Sequence, residues 1–414
     1  MVKSLDTKLA EIHANPDTNA FILADAKDAD MAFGIAAPGR SPEHIDGQYR
    51  SLAEYRDSIR ENTRQGLLDI MLMSVSTSEV LTINERLFDD SPVTPAIRAN
   101  DATDIWVGRS SSVGAEQSRP FSTALIDHAQ CAQLEGDESL RGIGADLGLY
   151  SVTFNNDRDR DSESLAAYKA FRMEAERKGF RHFLEIFDPN APSAPLPPEK
   201  VGPFVNDLVA RTLAGVASPG RPIFLKMVYH GPKWMEELAH YDPHLVPGIL
   251  GGSSGTTYDA FKLLAEAKKY GAKAALFGRK INNSEHQLSF IQFLRWVADG
   301  KVTPEEAVKA YHGVLTKLGI KPYRSLWQDS QLTSGATGYG GSGATISVPS
   351  AGVGQAGSYA PSRPAATGEA KAPPAAADGE GFPTKSDGNP DFANMTPDQR
   401  LTYHKKRLDS ALGD

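Results

Sequence analysis

Cysteine is almost missing from this chain. A single Cys131 among 414 residues leaves no internal disulfide to staple the fold. One thiol in so long a chain fits a reducing compartment, so a cytoplasmic location is expected. Long apolar runs are missing as well. No stretch approaches ~18 consecutive apolar residues, and residues 1–20 carry Asp6, Glu11 and Asp17 without an apolar core, so neither a membrane span nor a signal peptide is expected. Positive charge is in deficit: 44 Lys and Arg against 52 Asp and Glu leave a net charge of -8, with no basic stripe to grip nucleic acid. Metal and nucleophile signatures are also lacking. His128, His182, His230, His240 and His244 are not spaced as a ligand set, and no HExxH, paired CxxC, GxSxG elbow or P-loop occurs. No metal and no cofactor are expected.

What is present is an ordinary globular composition, 40% hydrophobic and 23% charged, so the bulk can build a core unaided. Two regimes divide it. Residues 1–328 alternate β-rich runs with amphipathic segments, whereas 329–394 are dominated by Gly, Ala, Ser and Pro. The latter stretch has too little to bury to offset its chain entropy, which predicts a disordered linker. In residues 395–414, Thr396, Pro397 and Gln399 suit the N-cap, N1 and N3 positions of a short helix.

Eight β-rich runs fall at 20–25, 67–75, 96–100, 149–155, 182–188, 222–229, 245–250 and 274–277. Helical patterns follow near 162–178, 199–215, 232–241, 256–270 and 284–299. Residues 121–128 are a further strand candidate and a rival for the third position. A helix opening at Thr303 places Val308, Tyr311 and Leu315 on one face, expected to pack on the outside. Eight β/α units can close into a barrel or lie open as a doubly wound sheet. The open form would carry a glycine-rich first βα turn, and Ala24-Asp25-Ala26-Lys27-Asp28 has no glycine. A (β/α)8 TIM barrel is therefore expected, with its chemistry at the C-terminal ends of the strands.

Two charges interrupt apolar strands. In Ile223-Phe224-Leu225-Lys226-Met227-Val228, alternation puts Lys226 on one face with Phe224 and Val228. If that face is the barrel interior, desolvation favours the neutral amine that carbonyl attack requires. A purely structural lysine, paired or reaching to the rim, is the even alternative. Glu185 shares a face with Phe183 and Phe187 on the preceding strand, close enough to exchange protons with Lys226 or simply to pair with it. Asp25 ends the first strand, where a catalytic carboxylate or an ordinary helix cap would stand. Gly251, Gly252 and Ser253, ahead of a helix beginning near Thr256, and Gly278-Arg279 after the eighth strand have the makings of a phosphate site.

The segments FILADAKDAD (21–30), HFLEIFD (182–188), IFLKMVYHGP (223–232), VPGILGGSSG (246–255) and AALFGRKIN (274–282) resemble strands one, five, six, seven and eight of the deoxyribose-phosphate and tagatose-bisphosphate aldolase family of Schiff-base barrels. The resemblance spans about residues 20–320, and residues 100–145 match poorly. It implies a class I aldolase acting on a sugar phosphate, with Lys226 as the Schiff-base lysine, Glu185 as its acidic partner and Asp25 as the first-strand aspartate. Ser253 and Arg279, with their flanking glycines, would hold phosphate. A homo-oligomer is expected. The sequence departs from the family in lacking a second lysine: Leu149-Tyr150-Ser151-Val152-Thr153 and 246–250 contain none. Tyr150 or Tyr229 is then a candidate proton donor.

The tail allows a second, non-catalytic role. Leu401, Leu408, Ala411 and Leu412 gather on one side of the terminal segment, similar to the encapsulation peptides that bring enzymes into bacterial microcompartments. With the absent lysine, this motivates a rival reading: a barrel that has lost its chemistry and serves as cargo or scaffold.

Overall fold

The computed structural model describes residues 1–39, 49–105, 111–252 and 255–333, together with 383, 394–396 and 399. The chain divides into two units, Met1–Pro361 and Ser362–Asp414. In the first, eight strands close into a barrel: Ile22–Lys27 (β1), Ile70–Met73 (β2), Thr94–Arg98 (β3), Leu147–Thr153 (β4), Arg181–Phe187 (β5), Leu225–Met227 (β6), Gly248–Leu250 (β7) and Ala274–Phe277 (β8). Every neighbouring pair is parallel, and β1 closes on β8 through Ile22↔Ala274 to Asp25↔Phe277. All eight expected strands are there.

The extra strand expected at 121–128 is not formed. Pro120–Phe121 makes a two-residue antiparallel pair with Asp101–Ala102 beside the barrel, and Ile126–Cys131 is a short helix. Ile126 and Ala129, three residues apart, are both buried there, a helical spacing that strand alternation cannot satisfy.

The lower part of the barrel is filled by Ile22, Ala24, Ile70, Leu72, Ala96, Leu147, Leu149, Phe183, Phe224, Val246, Ala274 and Leu276. A helix not anticipated from the sequence, Ser4–Ala14 (α1), adds Leu5, Leu9 and Ile12 to the same cluster. Its first turn is tied to the N-terminal rim. The Ser4 hydroxyl donates to Asp69 at 2.7 Å just ahead of β2, and Arg181 at the start of β5 pairs with Asp6 at 2.6 Å. Burying these three side chains contributes about 1.5–3 kcal/mol each. The N-terminal end of the barrel is thereby closed.

The outer layer follows the sequence signals closely. Leu52–Gln65 (α2) starts at a Ser51/Glu54 capping box. Arg158–Arg177 (α3), Pro198–Ala214 (α4), Pro232–Tyr241 (α5), Thr257–Lys269 (α6) and Gln287–Ala298 (α7) lie within a few residues of the expected helices. Pro304–Lys317 (α8) has the Thr303/Glu306 box and buries Val308, Tyr311 and Leu315, packing on α6 and α7 rather than on a strand. Among the described residues, no helix is long and apolar enough to cross a membrane. In the second unit, the Thr396 N–H donates to Gln399 Oε1 at 2.9 Å and the Gln399 N–H to Thr396 Oγ1 at 3.3 Å, the reciprocal pair of a capping box. Pro397, Leu401, Leu408, Ala411 and Leu412 lie outside the described residues.

Candidate active site

Strand alternation aims one residue of each of four adjacent strands into the barrel above its apolar filling: Arg98 of β3, Ser151 of β4, Glu185 of β5 and Lys226 of β6. The register sets Ser151, Glu185 and Lys226 side by side, since Ser151 pairs with Glu185 and Glu185 with Lys226. Two residues earlier on β5 and just ahead of β6, Phe183 and Phe224 stack with ring centroids 4.5 Å apart, forming a dry floor.

The polar contacts above that floor are short and divided. Lys226 Nζ lies 2.5 Å from Glu185 Oε1. Glu185 Oε2 accepts from the Ser151 hydroxyl at 2.6 Å and from Arg98 Nη2 at 3.3 Å. Arg98 also donates through Nη1 to Ser151 Oγ at 2.9 Å and through Nε to Asp28 at 2.5 Å. All of these side chains are buried, with Lys226 only 6% exposed. Taking four charges out of water costs several kcal/mol per ion, and the cluster is tolerable because two cations face two carboxylates with their hydrogen bonds filled. Burial by itself pushes the Glu185 carboxyl up, but Lys226 and Arg98, helped by hydrogen bonds from Lys226 and Ser151, outweigh it and hold Glu185 below its ordinary value. Glu185 is therefore a carboxylate at neutral pH.

Asp25 is placed elsewhere than the sequence suggested. Ile22 and Ala24 point into the barrel, so Asp25 and Lys27 point outward, into the layer between β1 and the helices. There, Lys27 Nζ lies 3.5 Å from Asp25 and donates to Gln287 at 2.8 Å and Asn282 at 3.3 Å, while Asn62 of α2 donates to Asp25 at 2.9 Å. Both ions are fully buried. Burial, only partly offset by Lys27 and Asn62, leaves the Asp25 carboxyl above its ordinary value; burial, only partly offset by Asp25, leaves Lys27 below its own. The carboxylate that does reach the cavity from this segment is Asp28. Tyr150 likewise faces outward, 4.6 Å from the Phe171 ring, and Tyr229 packs in the outer core, so neither lines the cavity.

The cavity, about 110 Å³, opens at the C-terminal ends of the strands. Lys226, Glu185, Arg98 and Asp28 line it, together with Gly251, Gly252, Gly278 and Arg279 of the loops after β7 and β8. Ile105, Phe187 and Leu250 supply an apolar wall. Ser253 lies outside the described residues. The Gly251 N–H is committed to the barrel ladder, donating to the Leu276 carbonyl at 2.8 Å. Gly278 is required because a Cβ there would sit 2.5 Å from the Ala26 carbonyl oxygen of β1. Arg279 opens the short helix Arg279–Asn282, with its guanidinium 5.3 Å from the Phe33 ring, and burial pushes it down to about 10, so it remains a desolvated cation at neutral pH.

The start of α6, expected to help with phosphate, is occupied by the chain itself. The Thr257 N–H donates to Asp329 at 2.8 Å, Thr256 and Asp259 form a capping box, and Thr333 donates to Asp259 through its N–H at 2.9 Å and its hydroxyl at 2.7 Å. The other Asp329 oxygen meets His312 at 3.0 Å. Of the residues expected to hold phosphate, Gly251, Gly252, Gly278 and Arg279 line the cavity.

Arg98, Ser151 and Asp28 belong to this cluster and were not singled out by sequence reasoning. Arg98 had the same signal as Lys226, an ionisable residue inside the apolar run Thr94–Arg98. Asp28 was hidden among Asp25, Lys27 and Asp30, where only the inward or outward sense of β1 separates them. Among the described residues, no group of three or more His, Cys, Asp and Glu side chains is placed to hold a metal ion.

No family model matches the sequence, and no curated protein matches it. Solved structures match in fold. An archaeal fructose 1,6-bisphosphate aldolase superposes with a TM-score of 0.50 at 12% identity, over 71% of this chain and 99% of that one. A Schiff-base-forming fructose-1,6-bisphosphate aldolase, studied through its reaction intermediates, gives 0.50 at 12% identity over 70% of this chain and 99% of its own. The first unit of the chain therefore has the closed (β/α)8 barrel fold shared with Schiff-base aldolases.

Proposed function

We propose that this protein is a class I aldolase that cleaves and forms a carbon–carbon bond of a phosphorylated sugar through an iminium on Lys226. The observation that carries the reading is the Lys226–Glu185 contact of 2.5 Å inside the barrel, in a cavity that Arg279 also lines. Glu185 takes one proton from the Lys226 ammonium, and the free amine attacks the substrate carbonyl. A second nitrogen proton passes to the former carbonyl oxygen. Glu185 then protonates the carbinolamine hydroxyl, which leaves as water; the regenerated carboxylate takes the proton of the hydroxyl on the departing carbon as the iminium draws in the electrons of the breaking bond, giving an aldehyde and an enamine on Lys226. The Gly252, Gly278 and Arg279 side holds the phosphate.

Borohydride added with a panel of sugar phosphates should trap a covalent adduct that peptide mass spectrometry assigns to Lys226. Lys226→Ala should give neither adduct nor turnover. No adduct across the panel would sink the mechanism. The scaffold reading drew on the missing second lysine; Arg98, which reaches Ser151 of β4, supplies a second cation beside Glu185 and weighs against it.

The terminal segment is proposed to dock on a protein partner such as a microcompartment shell, supported by the Thr396/Gln399 cap at its start. Deleting residues 395–414 should leave turnover unchanged and abolish co-localisation with the shell. Unchanged localisation refutes the docking role.

A further inference from the structure

We infer that Arg98 is a positioning residue that, with Ser151, holds one oxygen of Glu185 and so reserves the other for proton exchange with Lys226. The inference rests on the Schiff-base reading above and assigns a role to a residue that reading does not use.

The geometry is a division of labour within one carboxylate. Oε1 meets Lys226 at 2.5 Å, while Oε2 meets Ser151 at 2.6 Å and Arg98 at 3.3 Å. A carboxylate on a Glu side chain has a broad, nearly two-fold terminal torsion and can present either oxygen. Binding Oε2 from two sides removes that freedom. Arg98 is itself fixed, since its fork also grips Ser151 at 2.9 Å and Asp28 at 2.5 Å, and the Asn100 side chain bonds the Ser151 backbone from both directions, accepting from its N–H at 2.7 Å and donating to its carbonyl at 2.9 Å. A lysine at position 98 could not span these partners, because a single ammonium lacks the planar fork.

Arg98 also sets which protonation state Glu185 rests in. The groups that face Glu185 are Lys226 from β6, Arg98 from β3 and Ser151 from β4. Asp104 lies close enough to feel its charge, and Asp28 and Asp101 act on it by way of Arg98. Arg279 also lines the cavity. With Arg98 in place, the carboxyl gives up its proton readily, which suits delivery of that proton to the departing hydroxyl and leaves a counter-ion beside the iminium.

The test is the pH dependence of adduct formation. Wild type, Arg98→Met, Arg98→Lys and Ser151→Ala are incubated with borohydride and either fructose 1,6-bisphosphate or dihydroxyacetone phosphate, and the rate of adduct formation on Lys226 is followed by mass spectrometry from acid to neutral pH. Removing Arg98 should raise the Glu185 value, so the acidic limb of the profile should move up by about 1 pH unit or more. Arg98→Lys should restore part of the limb position but not the plateau rate. Ser151→Ala, which strands no buried charge, should move the limb in the same direction by a smaller amount and covers the case in which Arg98→Met does not fold. If wild type traps adduct and the limb stays in place in every variant that folds, Arg98 does not position Glu185, and the Schiff-base reading stands without it. If wild type traps no adduct with these probes or with any other sugar phosphate of the panel, both readings fall together.

Discussion

Replacing Asp25 by Asn separates a structural carboxylate from a catalytic one. The substitution keeps the size and the ability to accept from Asn62, and removes only the charge 3.5 Å from Lys27. Lys27 would then be a fully buried ammonium with neutral partners, Gln287 at 2.8 Å and Asn282 at 3.3 Å. Breaking a buried pair in this way costs about 3–5 kcal/mol. An upper bound comes from the alternative of simply losing the proton. The ordinary lysine value of 10.5 lies roughly 3.5 pH units above neutrality, and at about 1.36 kcal/mol per unit deprotonation costs at most about 5 kcal/mol. The two routes agree. Urea denaturation should therefore show Asp25→Asn less stable by about 3–5 kcal/mol, and adding Lys27→Met, which removes the stranded charge, should recover most of the loss. The pH dependence has a definite sign. Lys27, held below its ordinary value by burial, binds fewer protons folded than unfolded, so the penalty is full below the folded value and is relieved as pH rises through it towards 10.5. The stability of the single variant should climb with pH over that window. The molecules that stay folded should still trap the borohydride adduct. A double variant no more stable than the single, or a folded Asp25→Asn protein that traps nothing, would refute the reasoning.

Two further outcomes follow from Arg279 and from the segment at 325–333. Arg279→Ala should raise KM for a phosphorylated substrate about 10- to 100-fold, the worth of a charge-assisted hydrogen bond, while leaving KM for the dephosphorylated analogue nearly unchanged in steady-state assays. Equal effects on both substrates would show that Arg279 does not bind phosphate. Asp329→Ala removes the acceptor for the Thr257 N–H and strands His312, so thermal denaturation should show a loss of about 1–3 kcal/mol. No loss would mean that the segment at 325–333 is not clasped to α6.

The barrel was legible because closure of the sheet demands a repeating signal, and β4 through α7 repeat it at regular spacing. What was not legible depended on sense and on distance. The sequence shows that Asp25 and Lys27 share a face of β1, but not which face is inward; the matching small residues Ala24 and Ala26 carry no signal strong enough to choose. For Lys226 and Glu185 the sequence left the inner face conditional as well, and the stacked Phe183 and Phe224 inside the barrel identify it. The short helix at 126–131 overlaps a segment that also reads as a candidate strand, because six residues are too few for periodicity to discriminate. Helix α1 has Leu5, Leu9 and Ile12 at helical spacing, which was available but competes with a polar composition. The clasp of Asp329 on Thr257 joins residues 72 apart and has no local signature at all.

The stopper formed by α1, with the stacked Phe183 and Phe224 above it, makes the barrel a vessel with one mouth. On the proposed Schiff-base cycle, the water lost at dehydration forms above this closed floor, so it leaves through the same opening that admits the substrate.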